Sequence, residues 1–249
     1  MKIIVNADDM GYMKCVSEGI IEGFKKGIVT STTIMTHMPF AKKAAEMILP
    51  YTALGVGVHL TLTVGKPLTT GKTLVQMNGE FWRYKDFYKK IIDPKEVYDE
   101  FKAQIEEFVR LFKNKPTHID SHQGCHDGVT VLLKNNPDYS RCHNTEEIYR
   151  VTMDIANEYN LPVRRACDYK WIDDYYGENA TVEKFISVIE SNKEKGYEKL
   201  EFMVHPAFCD LELFRGSSYN LFRVKELAGL CDPKLITYLD DNNIELVHF

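Results

Sequence analysis

The sequence predicts an α/β fold of the (β/α)-barrel type, distorted rather than regular, with mostly parallel strands. Three observations lead there. Short apolar, β-rich runs alternate with helical patterns roughly seven times along the 249 residues, which is close to the repeat a (β/α) barrel requires. Strands separated by helices return through right-handed crossovers, which makes neighbouring strands parallel. Ionisable residues fall at the carboxyl ends of several of these runs, where such barrels build their sites. An open, doubly wound sheet is the alternative arrangement.

The elements follow in chain order. Lys2–Ala7 reads as a buried strand, and Val16–Lys26 as a helix with Val16, Ile20, Ile21 and Phe24 on one face. Thr30–Met35, rich in β-branched residues, is the next strand; a helix over Ala41–Leu49 and a strand over Gly55–Leu62 come after it. Lys95–Phe112 carries the strongest helical stripe, with Val97, Phe101, Ile105, Phe108, Val109 and Phe112 at helical spacing. Thr117–Ser121 predicts a strand, Thr145–Tyr159 a helix, Leu161–Ala166 a strand and Val182–Lys195 a helix. Leu200–His205, Pro233–Asn242 and Glu245–His248 close the pattern as strand, helix and strand. Residues 65–94 and 206–222 read as long loops. The first carries Phe81, Trp82, Tyr84 and Phe87, and loops of this kind commonly shape a substrate pocket. No repeat or Pro/Gly/Ser-rich linker divides the chain, so one domain over residues 1–249 is expected.

Composition narrows the partners. The net charge is −5 with no basic tract, which argues against nucleic acid. No apolar run reaches the ~20 residues that span a bilayer, and the first residues lack the pattern of a signal peptide, so a cytoplasmic protein is expected. Six cysteines, at 15, 125, 142, 167, 209 and 231, include no C-x-x-C pair and read as packed thiols.

Asp8 and Asp9 end the first strand. Adjacent carboxylates repel, so either both are solvated in a turn or a positive charge sits beside them. His59 lies late in the third strand, His118, Asp120 and His122 in and just after the fourth, Arg164 and Arg165 at the end of the fifth, and His205 at the end of "LEFMVHP". Each has a plain structural reading. His59 alone is more readily a packed core histidine, and Asp8-Asp9 alone could cap the following helix. His118, His122 and His126 would share a face only on a helix, which Pro116 and the β-branched Thr117 and Ile119 oppose. His37, His143 and His248 read as surface residues. Taken together, one carboxylate and two imidazoles suit a catalytic divalent ion with open positions, and the second aspartate of the pair stays free as a base. No H-E-x-x-H, G-x-S-x-G or Walker loop is present, and Gly55-Val56-Gly57 lacks the third glycine of a dinucleotide loop.

At "NADDMGY", "GIVTSTTIM", "GVGVHLTLTVGKPLT", "KPTHIDSHQGCH" and "MVHPAF" the chain resembles the YdjC/ChbG carbohydrate deacetylase family, in order from Lys2 to about Phe208. The resemblance implies a barrel-like deacetylase fold, a divalent metal usually described as Mg2+, and hydrolysis of N-acetyl groups from small sugars such as diacetylchitobiose or its phosphate. It also implies a homodimer. Its metal-binding histidines fall on His59 and His122. Its Asp-Asp pair falls on Asp8 as base and Asp9 as ligand, or the reverse. His205 matches its candidate acid, and Arg165 an arginine near the site. This chain departs from the family at Gly124, where a further histidine is common, and at Met10, where phenylalanine is usual. Two imidazoles suit Zn2+, Mn2+ or Co2+ better than Mg2+. A metal-dependent phosphoester hydrolase, a sugar isomerase and a non-catalytic sugar-binding protein are the competing readings.

Overall fold

The first strand, β1 (Lys2–Met10), is the centre of the sheet, and only Lys2 at its start is exposed. The structure is a computed structural model and describes residues 1–87, 89–126 and 145–249. Around β1 run β2 (Ser31–Ile34), β3 (Gly55–Leu60), β4 (Ile119–Ser121), β5 (Lys170–Ile172) and β6 (Lys199–Val204). They follow the order β4-β3-β2-β1-β6-β5, and each pairing is parallel. A two-residue strand, β7 (Glu245–Leu246), pairs with the first residues of β1. The sheet curls into a half-barrel, so the α/β class and parallel strands expected from the sequence are present.

Helices α1 (Lys14–Lys26), α2 (Ala41–Ile48), α3 (Tyr84–Phe87), α4 (Pro94–Phe112), α5 (Thr145–Tyr159), α6 (Val182–Glu194), α7 (Leu211–Gly216), α8 (Leu221–Leu230) and α9 (Pro233–Asp241) make the connections. Their starts are chemically marked. Asp93 and Asp232 accept backbone N–H bonds ahead of Pro94 and Pro233, and Thr181 caps α6. Among the described residues no helix is long and apolar enough to cross a membrane.

Three expectations are corrected. Leu161–Ala166 forms no strand: Val163 makes a single parallel bridge to Ile119, and Arg165 then turns to φ +68°. Pro162, having no N–H, cannot donate to a ladder. The strand in this region is β5. Residues 206–222 are not all loop, since α7 lies within them and α8 begins at Leu221. Of the aromatics of residues 65–94, Phe81 and Phe87 are buried core rather than pocket wall, and the half-buried Trp82 bonds its ring nitrogen to the Thr73 carbonyl. That segment is held down by α4. On successive turns Glu96, Glu100 and Gln104 accept the backbone N–H groups of Lys72, Thr73, Leu68, Thr69 and Thr61.

Candidate metal centre

The β1 ladder carries a bulge between Ala7 and Met10, and Asp9 sits at φ +71° within it. In a regular strand, side chains 8 and 9 would point to opposite faces. The bulge turns both carboxylates into one polar cluster, where both are buried. Each meets its own arginine. Arg164 donates from Nη1 and Nη2 to the two oxygens of Asp8, at 2.8 Å each, while Arg223 Nη2 lies 2.5 Å from Asp9 Oδ2. Positive charge, not solvation, is what allows the pair. Asp8 is therefore not the free carboxylate the sequence suggested, for it is clasped on both oxygens.

Asp9 Oδ1 faces two imidazoles, with His122 Nδ1 at 2.8 Å and His59 Nε2 at 3.2 Å. On the far side of its ring, His59 Nδ1 lies 2.7 Å from Asp120 Oδ1. A carboxylate only accepts, so that nitrogen carries a proton, and Nε2 faces Asp9 as the second N–H of a charged ring or, with a metal bound, as a lone pair. A protonated Nε2 donates to Asp9 Oδ1 at 3.2 Å, and a divalent ion would take the place of that proton between them. Donor atoms bound to one ion at ~2.1 Å and cis to one another sit ~3 Å apart, so these spacings fit a shared divalent ion. Burial would depress the His59 ring, but Asp120 and Asp9 raise it to about 10, the same preference for positive charge expressed toward a proton. Burial would raise the Asp9 carboxyl, but the His122 and Arg223 charges hold it well below the usual carboxylate range. Asp120 behind His59 fixes the ring's tautomer, as carboxylates behind metal-bound histidines do.

A second group, Asp8, His59 and Asp120, is also close enough to share an ion. Its donors are already engaged. Arg164 takes both oxygens of Asp8 and one of Asp120, whose Oδ2 also accepts from Thr33 and Asn6. In the Asp9, His59 and His122 set the arginine takes only Asp9 Oδ2, and Oδ1 faces the two imidazoles.

His205 stands across the cluster. Its Nε2 is 4.0 Å from Asp8 Oδ2, its Nδ1 is 4.0 Å from Glu226 Oε1, and its backbone N–H donates to Glu226. Burial pushes the ring down to about 4, so it rests neutral. Burial likewise raises Glu226 to about 7. Arg164 Nε donates at 2.6 Å to the fully buried Glu201, which fixes the third side of the guanidinium.

Of the residues singled out from sequence, Asp8, Asp9, His59, His122, Asp120 and His205 thus come together. The Arg165 guanidinium lies 3.5 Å over the Trp171 ring, and it is Arg164 that pairs with Asp8. His118 is buried at the other end of β4, stacked on Phe249 with ring centres 3.8 Å apart. His126 bonds to Ser121 at 2.6 Å. His37 is no surface residue, because its Nε2 meets the Val64 carbonyl at 2.9 Å and its ring packs edge-on to Phe81. His248 is exposed, as expected, while His143 and Cys142 lie outside the described residues. Sequence reasoning missed Arg223, Glu226 and Glu201. The first two come from α8, in a stretch beside one read as loop, and their spacing of three on one buried helix face was the available signal.

A family profile described as YdjC-like protein matches residues 2–241. The chain is 34% identical to a carbohydrate deacetylase of Clostridium beijerinckii, covering 100% of this chain and 99% of that one. It is 34% identical to a chitooligosaccharide deacetylase of Yersinia pestis, covering 94% and 92%. Among solved structures it resembles an Enterococcus faecalis protein proposed to cleave cellobiose phosphate, with a TM-score of 0.85, 30% identity, and 99% and 97% of the two chains covered.

Proposed function

This chain belongs to the YdjC-like family, and from that premise we propose that it hydrolyses N-acetyl groups from small acetylated saccharides with the help of a divalent metal. The observation that carries the reading is the convergence of ligand atoms from Asp9, His59 and His122, next to a carboxylate and an imidazole 4.0 Å apart. When bound there, a divalent ion makes water more acidic and polarises an amide carbonyl. Asp8 takes the proton of the attacking water. Arg164, bonded to both of its oxygens, keeps its carboxylate aimed until it does so. His205, neutral at rest, receives that proton through its Nε2 and delivers it to the departing sugar amine. Acetate and the free amine leave, and both residues return to their starting state.

Arg164 acts by positioning, and we assign it the place that the family resemblance gave to Arg165. Two imidazoles beside one carboxylate favour Zn2+, Mn2+ or Co2+, against the Mg2+ of the family description. Elemental analysis of protein purified without added metal identifies the ion. The same premise implies a homodimer, which light scattering on the purified protein tests.

Acetate release from N-acetylated mono- and disaccharides is the primary assay. The expected result is acetate formation that stops with a chelator and returns with added metal. Phosphate release from sugar phosphates without acetate, or saccharide binding without turnover, would replace this reading with one of its competitors.

A further inference from the structure

His205 is flanked by aromatic rings that neither the metal ligands nor the proton path uses. Tyr176 and Tyr219 stack on each other with ring centres 4.2 Å apart and planes 9° from parallel. Both stand edge-on to the His205 imidazole, at 5.6 and 5.7 Å. Tyr219 is fixed in place: its hydroxyl donates to Glu226 and accepts the Gly177 N–H at 2.7 Å. Gly177 takes φ +61° to make that approach, which locks the residue after Tyr176 to the ring beneath it. One face of Tyr176 is therefore covered by a rigid neighbour, and the ring as a whole is still 45% exposed. A large aromatic left open beside the one imidazole placed to protonate a leaving amine is a prepared surface rather than core packing.

We infer that Tyr176 is the sugar-binding platform of the site, on which the pyranose ring bearing the acetamide nitrogen stacks. The inference rests on the deacetylase reading and adds the leaving-group specificity to it. The placement follows from the chemistry. The acyl carbon must lie toward Asp9, His59 and His122, and the nitrogen toward His205, so the ring attached to that nitrogen continues past His205 onto Tyr176. Pyranoses carry an apolar C–H face, which prefers an aromatic plane to water, and a surface already immobile loses little entropy on binding.

The test is kinetic. With N,N′-diacetylchitobiose as substrate, Tyr176→Ala is expected to raise KM roughly tenfold while leaving kcat within about twofold. Tyr176→Phe, which keeps the ring, should match the wild type. Discrimination between the disaccharide and N-acetylethanolamine, which has the acetamide but no ring, should shrink by the same factor in the alanine variant. An unchanged KM in Tyr176→Ala overturns the inference, as does a fall in kcat at constant KM. If the wild type releases no acetate from any acetylated sugar, the deacetylase reading fails by itself. Saturation-transfer NMR with chitobiose on wild type and Tyr176→Ala then decides separately: binding lost in the variant supports the platform, and equal binding or no binding removes it.

Discussion

Asp9 adopts a backbone conformation that few non-glycine residues take, and it does so where two carboxylates have to face the same way. The bulge, the two arginines and the two imidazoles belong to one solution: a strand that would point Asp8 and Asp9 apart is bent until both enter a cluster rich in positive charge. Two outcomes follow for single residues. Asp8→Asn keeps the shape and removes the proton acceptor, so turnover is expected to fall ~10²–10⁴-fold with the circular dichroism spectrum unchanged. Asp120→Asn leaves the proposed ligands in place but removes the charge behind His59, and metal affinity measured by calorimetry should fall about 10–100-fold. An Asp120→Asn protein that binds metal as tightly as the wild type would show that this carboxylate only packs. The residues that were legible in the sequence are those at strand ends, because a parallel sheet brings such ends together wherever they lie in the chain. Arg164 and Arg165 were not separable that way. Adjacent residues point to opposite sides, and a single turn at φ +68° decides which one faces the carboxylates.

Among the elements, α1 does more than cover the sheet. Gly19, on its buried face, lies against the backbone of Ala207 and Phe208, the segment that follows His205; a Cβ there would stand 2.6 Å from the Ala207 carbonyl carbon and 2.7 Å from the Phe208 nitrogen. The Phe208 N–H donates to the Cys15 carbonyl at the start of the same helix, at 3.1 Å. The seat of His205 is thus set by how closely α1 approaches. Gly19→Ala improves helix propensity locally, yet backbone atoms cannot move aside as a flexible side chain can, so the variant is expected to lose about 1–3 kcal/mol in urea denaturation. Its kcat should drop too, because His205 moves with the loop. A gain in stability, as at an ordinary helix glycine, would refute the close approach. The elements themselves were largely readable, since apolar periodicity and caps mark them: Thr145–Tyr159 is a helix over the expected residues, and β2, β3, β6, α4 and α6 lie within two residues of expectation. What pattern alone missed was β5, in place of the strand expected over Leu161–Ala166, and α7, a helix of six residues too short to show a period.

Across the whole molecule the two ends of the sheet do different work. Asp120, His122 and His59 lie toward the carboxyl ends of β3 and β4, whereas His118, just before β4, sits at the opposite end, capped by the Phe249 ring and pressed against Gly57. Its Nδ1 meets the Thr117 hydroxyl at 2.9 Å and its Nε2 has no hydrogen-bond partner among the described residues, so the ring is a piece of the floor, in keeping with the stabilising role of that end in barrels. Burial pushes the His118 ring down to about 3. The sign of the effect on stability follows. The unfolded chain accepts a proton near pH 6.5, and the folded chain refuses it until about pH 3, so protons favour unfolding throughout that interval. The contribution is complete above pH 6.5 and is lost as pH falls, at about 1.4 kcal/mol per pH unit. His37, lowered to about 4 by burial, adds in the same direction. The comparison that isolates His118 is His118→Gln against the wild type in urea denaturation at a series of pH values from 8 to 5. The variant starts less stable because the stack on Phe249 is broken, but it lacks the withheld proton, so the gap should stay constant above pH 6.5 and narrow steadily below it. Parallel curves down to pH 5 would mean that the ring takes up its proton in the folded state, and that the floor of the sheet is wetter than its packing implies.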